Sequence, residues 1–294
     1  MRIHFLLFLI TACIGFSSCK KESETPQQPA ASYLQIPAGF PPVNIPADNE
    51  VTADRVALGK KLFNEKRLSR DSTISCASCH KPELAFTDGL TRSFGIDGNV
   101  VPRNSPNLTN VLWATSLFWD GGSISLEHQA IAPIHNPLEM DFTVQGAVER
   151  LKTMPEYIEL FRKAYNRDVD SFGLVRAIAA YQRTFISSKS KYDRYLAGDQ
   201  SALNESEERG RILFFGERAE CFHCHTGILF TDDTFQNNGL YAVYPDSGRY
   251  RITGRPSDIG KFRVPTLRNV AVTAPFMHDG SISTLEAVVD HYAS

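Results

Sequence analysis

The sequence predicts an all-α protein with long loops, built as two related halves. Apolar residues recur at helical spacing over residues 144–152, 155–165 and 172–185, which indicates amphipathic helices. Residues 87–105 and 232–261 are rich in Gly, Asp, Asn and Pro without sustained strand alternation, so we expect long loops there. Several short segments of the first half also recur in the second, which favours an internal duplication.

The cysteines indicate what each half holds. Two segments follow the pattern Cys-x-x-Cys-His, the attachment signature of a c-type haem: Cys76-Ala77-Ser78-Cys79-His80 and Cys221-Phe222-His223-Cys224-His225. In each segment the two thiols would bind the haem covalently, and the histidine would ligate its iron. Structural zinc is the alternative, because paired cysteines also have the spacing of zinc ligands. Haem c is favoured because a histidine directly follows both pairs and the pairs lie far apart.

Three further pairs of segments support the duplication. They are residues 58–63 and 209–214, 106–111 and 265–270, and 119–125 and 278–283. Repeats of this size are typical of duplicated domains rather than of a solenoid. We therefore predict two related cytochrome c-like haem domains, at residues 46–188 and 189–294.

The N-terminus predicts export from the cytoplasm. An apolar run over residues 5–16 is too short to span a bilayer comfortably, and two serines and Cys19 follow it. We predict a lipoprotein signal peptide at 1–19, with Cys19 carrying a lipid anchor to the membrane, and a flexible tether at 20–45. Cys13 is a competing lipid site, and a cleaved signal without lipid is a further alternative. Haem c is also attached outside the cytoplasm, so we expect a periplasmic lipoprotein.

Charge and cysteine usage narrow the function further. The 294 residues carry a formal net charge of −2 at pH 7, which argues against a nucleic-acid partner. Two of the 6 cysteines fall in the export segment and the others belong to the two haem motifs. No cysteine remains for a disulfide, although an oxidising compartment would permit one.

The segments around the haem motifs resemble those of bacterial di-haem cytochrome c peroxidases and their MauG-type relatives. The matching segments are residues 58–63, 74–80, 104–106, 118–121, 138–140, 262–269 and 278–280. The resemblance extends from about residue 48 to the end of the chain. It implies that hydrogen peroxide is reduced to water at the N-terminal haem. Electrons from a small cytochrome c or a cupredoxin would enter through the C-terminal haem.

The resemblance also implies roles for side chains around the first haem. His80 is the expected proximal ligand. Glu139 and Gln129 match the distal pair of the family, with Glu139 as general acid–base and Gln129 orienting the peroxide. Trp119 matches the tryptophan that lies between the two haems. Without the resemblance, these three residues would be interpreted as a solvated loop carboxylate, a surface helix residue and a core aromatic residue.

One departure from the peroxidase pattern concerns the first haem. Family members place a histidine in the loop before Asn-Ser-Pro, where it caps the resting haem, and Ile96 stands at that position here. We therefore expect an iron that is open without reductive activation, as in the MauG-type branch. His128 and His135 are alternative ligands, but their neighbours Gln129 and Glu139 favour a place beside the pocket.

A second departure concerns the other haem, whose proximal ligand is expected to be His225. Peroxidases of the family commonly supply a methionine fourteen residues after the histidine of a His-Asp-Gly motif, and counting from His278 gives Tyr292. A phenolate oxygen stabilises ferric iron, so the potential should be lower than with a thioether. If Tyr292 only packs, Met277 and His291 are the alternative ligands.

The family also holds a calcium ion between its domains, through an asparagine side chain and two backbone carbonyls. Asn104, Thr273 and Pro275 occupy the matching places, so the resemblance implies one Ca²⁺. The alternative is that Asn104 only caps a turn. The chain ends at Ser294, whereas family members continue with a closing helical segment. We therefore expect either a truncated second domain or a poorly covered second haem.

Three functions are compatible with these residues. The leading one is a lipid-anchored, periplasm-facing peroxidase that takes electrons from a small redox protein. Ile96 and Tyr292 favour the second, a MauG-type oxidase that removes electrons from a protein or organic substrate. The third is a di-haem electron carrier, against which Gln129 and Glu139 argue because a carrier has no use for a distal acid. A homodimer is compatible with each of them.

Overall fold

Helices account for almost all regular structure in residues 33–293, the part of the chain that the computed structural model describes. The α-helices are α1 (Ala53–Phe63), α2 (Cys76–Cys79), α3 (Leu126–Gln129), α4 (Ile131–His135), α5 (Val144–Lys152), α6 (Pro155–Tyr165), α7 (Ser171–Gln182), α8 (Lys191–Leu196), α9 (Glu205–Phe214), α10 (Tyr250–Thr253) and α11 (Leu285–Ala293). Short 3₁₀ helices lie at Ala47–Asn49, Lys66–Leu68, Pro82–Leu84, Ile96–Gly98, Val111–Trp113, Cys221–His223, Pro256–Asp258 and Val270–Val272. The expected all-α class is confirmed. Within residues 33–293, no helix is long and apolar enough to cross a membrane.

The periodic helices occur as expected, with one difference at the end of α7. α5 and α6 have the bounds that the apolar spacing predicts. α7 begins after Asp170, whose side chain accepts a hydrogen bond from the backbone N–H of Gly173. It ends at Gln182 rather than at Phe185, because Phe185 leaves the helix and stacks on Phe86 with ring centroids 3.8 Å apart.

The two expected loops contain more structure than their composition indicates. The first contains the 3₁₀ helix Ile96–Gly98. The second contains α10 and strand β1 (Phe235–Gln236), which pairs antiparallel with β2 (Phe262–Arg263) just beyond the loop. The strands are only two residues long, so they join neighbouring loops and build no sheet core.

The main hydrophobic core lies between α1, α5, α6 and α7. Its fully buried side chains include Leu62, Phe161 and Leu174. Burying each of them stabilises the fold by roughly 1.5–3 kcal/mol. α1 and α7 cross very closely at Gly59, where a Cβ would lie 1.9 Å from the carbonyl oxygen of Ala177. Glycine is therefore needed at this crossing.

A buried polar pair joins this core to the loop after α1. The hydroxyl of Tyr157 donates a 2.6 Å hydrogen bond to Oε2 of Glu65, and Arg67 donates to both carboxylate oxygens at 2.7 Å. Burial alone would raise the pKa of Glu65, but the hydrogen bonds from Arg67 and Tyr157 lower it to about 2. The carboxylate therefore stabilises the fold in its ionised form.

The folded body begins inside the predicted tether. Leu34 is buried in a small apolar cluster, and the rings of Phe40 and Trp113 lie 5.1 Å apart. This part of the predicted tether packs on the helices because it contains large apolar side chains. The predicted signal peptide, with its candidate lipid sites Cys13 and Cys19, lies outside the described residues, as does the first part of the tether.

The internal duplication extends to the backbone. Asn110 and Asn269 both adopt left-handed conformations, with φ of 60° and 61°, and each precedes a 3₁₀ helix. Each half then forms an isolated antiparallel bridge at the equivalent place, Leu117–Ser123 and Phe276–Ile282. The short sequence repeats therefore correspond to repeated local structure.

The two halves differ in how their repeated helices pack. α1 buries one face against α7, whereas its counterpart α9 contains no buried residue. The same holds for α11 in the second half. The described hydrophobic core thus belongs mainly to the first half.

Candidate active site

A cavity of about 390 Å³ lies beside the first Cys-x-x-Cys-His motif. Its wall includes most of the residues singled out in the first half, namely Cys76, Cys79, His80, Asn104, Trp119, Gln129 and Glu139. These residues come from helices and loops that are separate in sequence. The structure therefore brings the expected proximal histidine and the expected distal pair into one site.

The first motif forms a short, well-capped helix that leads to His80. Ser75 and Ser78 form a capping box at the start of α2, and His80 follows its end. Nδ1 of His80 lies 2.7 Å from the carbonyl oxygen of Phe86 and must donate to it, because a carbonyl only accepts. The lone pair is therefore on Nε2, the arrangement that suits an iron ligand. Burial lowers the pKa of His80, which also favours the neutral ring.

Glu139 provides a half-buried carboxyl group on the cavity wall. Nδ2 of Asn136 donates a 2.7 Å hydrogen bond to its Oε1, and the backbone N–H of Glu139 donates to the carbonyl of Asn136. Burial raises the pKa of Glu139, and the hydrogen bond from Asn136 opposes this rise. A carboxyl group tuned in this way is suited to accept and return a proton.

Gln129 lies at the end of α3 and is held by α7. Its Oε1 accepts a 3.4 Å hydrogen bond from Nε2 of Gln182. On the same helix, Glu127 forms a bidentate ion pair with Arg183, with distances of 2.8 and 3.1 Å. Gln182, the last residue of α7, and Arg183, which follows it, therefore both bind α3.

The loop that contains Ile96 packs directly on the Glu139 backbone. The backbone N–H of Ile96 donates a 2.8 Å hydrogen bond to the carbonyl of Glu139. Gly95 permits this approach, because a Cβ there would lie 2.0 Å from the carbonyl oxygen of Leu138. The Ile96 side chain is fully buried and is absent from the cavity wall. The loop therefore supports the distal acid without closing the cavity.

His128 and His135 lie outside the cavity wall. Nδ1 of His128 lies 3.1 Å from the hydroxyl of Ser123, and Nε2 of His135 accepts a 3.2 Å hydrogen bond from the backbone N–H of Val144. Both histidines are exposed. Within residues 33–293, His80 is the only histidine that lines the cavity. This geometry favours a place beside the pocket for both.

Trp119 connects the cavity to the second half through backbone hydrogen bonds. Its indole Nε1–H donates to the carbonyl of Asn104 at 2.8 Å, and its own carbonyl accepts from the backbone N–H of Arg263 at 2.8 Å. The backbone N–H of Asn104 in turn donates to the carbonyl of His278 at 2.8 Å. The indole is therefore held between segments of both halves.

An ion-pair bridge closes the cavity wall next to Trp119. The Arg103 guanidinium donates to Asp120 at 2.6 Å and to both carboxylate oxygens of Asp246 at 2.6 and 2.9 Å. Only 13% of the Arg103 side chain is exposed, so these pairs are shielded from solvent. The bridge joins the loop after the first motif to the long loop of the second half.

The second motif repeats the ligand geometry of the first. The 3₁₀ helix Cys221–His223 precedes His225, whose Nδ1 lies 3.0 Å from the carbonyl oxygen of Phe230. Phe230 and Phe86 both have positive φ, 52° and 64°, so the two loops turn their carbonyls in the same way. Burial lowers the pKa of His225, as it does for His80.

Tyr292 lies on α11 near the second motif. The residue is 59% exposed. Desolvation of its phenol raises the pKa of Tyr292, a hydrogen bond with Asn238 lowers it, and the Cys224 and Cys221 thiols add a smaller rise. Asn238 contacts both alternative ligands as well as Tyr292 itself. Its Nδ2 donates to Sδ of Met277 at 3.2 Å, and its carbonyl oxygen lies 2.9 Å from Nε2 of His291.

The three residues matched to a calcium site are Asn104, Thr273 and Pro275. The hydrogen bonds bring Asn104 to the segment that contains the other two but do not join the three residues directly. The side-chain Nδ2 of Asn104 donates to the carbonyl of Leu90 at 2.9 Å, so its Oδ1 faces away from that partner. Thr273 follows the 3₁₀ helix Val270–Val272, and Pro275 lies two residues further along the chain. The backbone bond from Asn104 to His278 shows that this segment approaches Asn104.

The donor atoms fit covalent haem better than zinc. All four cysteines of the two motifs are unpaired thiols, at Cys76, Cys79, Cys221 and Cys224. Within the described part of the chain, the one group of three metal-binding side chains is the exposed set Glu217, Glu220 and His223, and it contains no cysteine. Each thiol pair instead lies beside one neutral histidine, the arrangement that haem c requires.

Sequence reasoning missed several residues that shape the site. Asn136 and Gln182 bind the distal pair directly, and Arg103 bridges the two halves. Arg103 immediately precedes the matched Asn-Ser-Pro segment, which was a usable signal. Gln182 is a polar residue at the end of an apolar helix, which also pointed to a contact within the protein.

Comparisons with known proteins agree with this site. The sequence model described as di-haem cytochrome c peroxidase matches residues 53–201. The methylamine utilization protein MauG of Methylorubrum extorquens is 39% identical, over 97% of this chain and 81% of that protein. The cytochrome c551 peroxidase of Nitrosomonas europaea is 38% identical, over 88% of this chain and 79% of that protein.

Solved structures share the fold. A crystal structure of a MauG-like protein associated with microbial copper homeostasis aligns with a TM-score of 0.84 and 39% identity, covering 89% of this chain and 82% of that one. The diheme peroxidase BthA from Burkholderia thailandensis aligns with a TM-score of 0.73 and 26% identity, covering 82% and 72%. Together with the two motifs, these matches establish that the chain belongs to the di-haem cytochrome c peroxidase family.

Proposed function

We propose that this protein reduces hydrogen peroxide to water, with electrons from a small periplasmic cytochrome c or cupredoxin. As a member of its family it is an oxidoreductase that carries two haem c groups. Relatives in Nitrosomonas europaea and Pseudomonas aeruginosa are named cytochrome c551 peroxidase. The observation that carries the proposal is the half-buried carboxyl group of Glu139, which lines the same cavity as His80.

Three residues of the chain have separate roles in peroxide reduction: iron ligation, proton transfer and orientation of the peroxide. Haem c supplies the iron that binds peroxide and the electrons that reduce it. His80 is the ligand from the proximal side, oriented by its bond to Phe86. Glu139 takes a proton from the nearer peroxide oxygen and returns it to the farther one, which leaves as water. Gln129 orients the peroxide through its amide. Each peroxide consumes two electrons and two protons and yields two waters.

Electron supply is assigned to the second half. In this proposal residues 46–188 form the peroxide-handling domain and residues 189–294 the electron-transfer domain, with His225 and Tyr292 as the iron ligands of the latter. Trp119 is held between segments of both halves, and in this proposal its indole would shorten the path of the electrons from one half to the other. The tyrosine assignment is supported by the sequence position of Tyr292, fourteen residues after His278.

The remaining features of the proposal concern assembly. Cys19 anchors the protein to the periplasmic side of a membrane through its lipid. One Ca²⁺ binds Oδ1 of Asn104 and the carbonyls of Thr273 and Pro275, which is supported by the approach of that segment to Asn104. A homodimer remains compatible with this arrangement.

A MauG-type oxidase is the second candidate function, because specific residues favour it. Ile96 replaces a capping histidine and lies buried away from the cavity, and Tyr292 replaces a methionine. Relatives named MauG and a MauG-like structure are among the similar proteins. In this alternative the oxidising equivalents of peroxide remove electrons from a protein or organic substrate. A plain electron carrier is disfavoured, because Glu139 and Gln129 line the cavity.

Steady-state turnover tests the leading function. The holoprotein should reduce hydrogen peroxide rapidly when mixed with a reduced small cytochrome c or cupredoxin. The measurement follows donor oxidation, with protein lacking haem as the control. No turnover with several donors would contradict the peroxidase and favour the oxidase.

Resting-state EPR and optical spectra test the unequal haems. We expect one high-spin and one low-spin ferric signal, because His80 is the only histidine of the described residues in the cavity wall. Tyr292→Phe should change the low-spin signal, whereas Tyr250→Phe, on a different helix, should not. Two low-spin signals would contradict the open first site.

A further inference from the structure

Gln182 is a buried amide on the wall of the peroxide cavity. The residue is only 4% exposed and lines the cavity at the end of α7. Its Nε2 donates to Oε1 of Gln129 at 3.4 Å, while its own Oε1 is buried and has no hydrogen-bond partner among the described residues. A long-range contact between two helices thus joins this amide to the distal pair.

Packing alone does not explain a glutamine at this position. The preceding inward residues of α7, Ile178 and Ala179, are apolar and buried. A buried acceptor without a partner costs stability, and an apolar side chain of similar length would avoid this cost. The hydrogen bond to Gln129 therefore explains the amide better than packing in the hydrophobic core does.

The hydrogen bond from Gln182 determines which end of the Gln129 amide faces the cavity. Because Oε1 of Gln129 is the atom that accepts from Gln182, its NH₂ group is left for the cavity. Glu127, the nearest charged residue on α3, does not compete for this amide, since it is bound by Arg183 and by Asn49 at 2.6 Å. Among the described residues, Gln182 is the one whose side chain is hydrogen-bonded to the Gln129 amide.

We propose that Gln182 is a positioning residue of the peroxide-binding pocket. It orients the Gln129 side chain so that its NH₂ group donates a hydrogen bond to the peroxide, while Glu139 accepts one. The inference rests on the peroxidase function proposed above. A peroxide then meets one acceptor for the proton that it loses and one donor for the oxygen that becomes negative. An unfixed Gln129 could also turn its carbonyl to the peroxide and lose this match.

Fluoride binding to the ferric holoprotein provides a readout besides turnover, because a distal donor strengthens the binding of a small anion. Four variants are compared with the wild type: Gln182→Met, Gln129→Leu, the double variant, and the exposed control Gln145→Met. The measurements are the fluoride Kd, the rate constant for reaction with hydrogen peroxide, and haem content. We expect about a five- to tenfold loss in both binding and rate for each single pocket variant, the effect of one hydrogen bond.

The double variant separates positioning from packing. If Gln182 acts through Gln129, adding Gln182→Met to Gln129→Leu causes no further loss. Fully additive losses would overturn the inference. If Gln129→Leu weakens both readouts while Gln182→Met changes neither, only the role of Gln182 fails. If Gln129→Leu also changes neither, the proposed distal pocket fails with it.

Gln182→Glu is a second test, to be used if Gln182→Met does not give a folded holoprotein. A protonated carboxylic acid can donate to Oε1 of Gln129, whereas the carboxylate cannot. Fluoride affinity relative to the wild type should therefore be near normal at low pH and fall as the introduced acid ionises. An affinity ratio that does not change with pH would overturn the inference.

Discussion

The two halves of the molecule hold their motif histidines in the same way but enclose them differently. His80 and His225 both donate from Nδ1 to the carbonyl of a phenylalanine with positive φ. His80 lies in a cavity with the Glu139 carboxyl group on its wall and a packed helical core behind it, whereas α9 and α11 of the second half contain no buried residue. The difference teaches that ligand geometry is a local property of the repeated segment, whereas reactivity depends on the residues that surround it.

The largest expected effect concerns Glu139, the proposed acid–base of the first half. Glu139→Gln should lower the rate of peroxide reduction by about 10²–10⁴-fold, since general acid–base catalysis contributes that much. Steady-state turnover with a reduced donor measures it. The low-spin signal of the second haem should stay unchanged.

Glu149→Gln on the exposed face of α5 is the matched control and should keep full activity. A Glu139 variant as active as this control would remove the main chemical difference between the halves.

The next largest effect is on stability, when the two equivalent glycines of the halves are each replaced by alanine. Gly59→Ala should destabilise the protein by about 1–3 kcal/mol or more, because its Cβ meets the carbonyl of Ala177 at 1.9 Å. Gly210 occupies the repeated position on α9, where a Cβ has no neighbour within 4 Å. Gly210→Ala should stabilise by about 0.5–1 kcal/mol, because alanine favours the helix.

Thermal unfolding of the two glycine variants measures this contrast. Changes in Tm of the same sign would show that the halves are enclosed more similarly than the structure indicates.

A smaller effect on stability is expected when the hydrogen bond of a tyrosine–carboxylate pair is removed in each half. Tyr157→Phe should destabilise by about 1.5 kcal/mol above pH 4.5, because it removes a buried hydrogen bond to ionised Glu65. The pKa of Glu65 is about 2, below its ordinary value of 4.5, so its contribution is complete above pH 4.5 and is lost as the pH falls towards 2. The difference between variant and wild type should therefore become smaller in acid.

Tyr241→Phe is the matched variant in the second half, where the tyrosine donates to Asp279 at 2.5 Å from a more exposed position. Its effect on urea unfolding should be smaller. An equal effect would contradict the difference in enclosure.

The smallest expected effect is a shift in pH dependence. Burial raises the pKa of Glu139 and the Asn136 hydrogen bond lowers it, so Asn136→Leu should move the acidic limb of the kcat/KM profile to higher pH. Activity falls when the carboxylate is protonated, and the variant is protonated at a higher pH than the wild type. Asn166→Leu, at the end of α6 and away from the cavity, should leave the limb unchanged.

Sequence patterns predicted those parts of the structure that are formed by residues close to one another in the chain. Apolar periodicity predicted α5 and α6, and the spacing of the motif predicted His80 beside Cys76 and Cys79. The family resemblance added Glu139 and Gln129, which do line the same cavity as His80.

Long-range contacts account for what the sequence could not predict. Gln182 contacts Gln129 across 53 positions, and the amide gives no periodic signal of this partner. The packing of residues 34–40 on the helices was also missed, because a polar, proline-rich composition favoured a tether.

The Arg103 bridge also has a consequence for the order of folding. Its partner Asp246 lies 143 positions away, so the pair forms only after a large loop has closed. Contacts of such separation form late, and we expect the wall next to Trp119 to be completed after the helical core of the first half. We therefore expect a stage of folding in which Cys76 and Cys79 are still accessible for haem attachment.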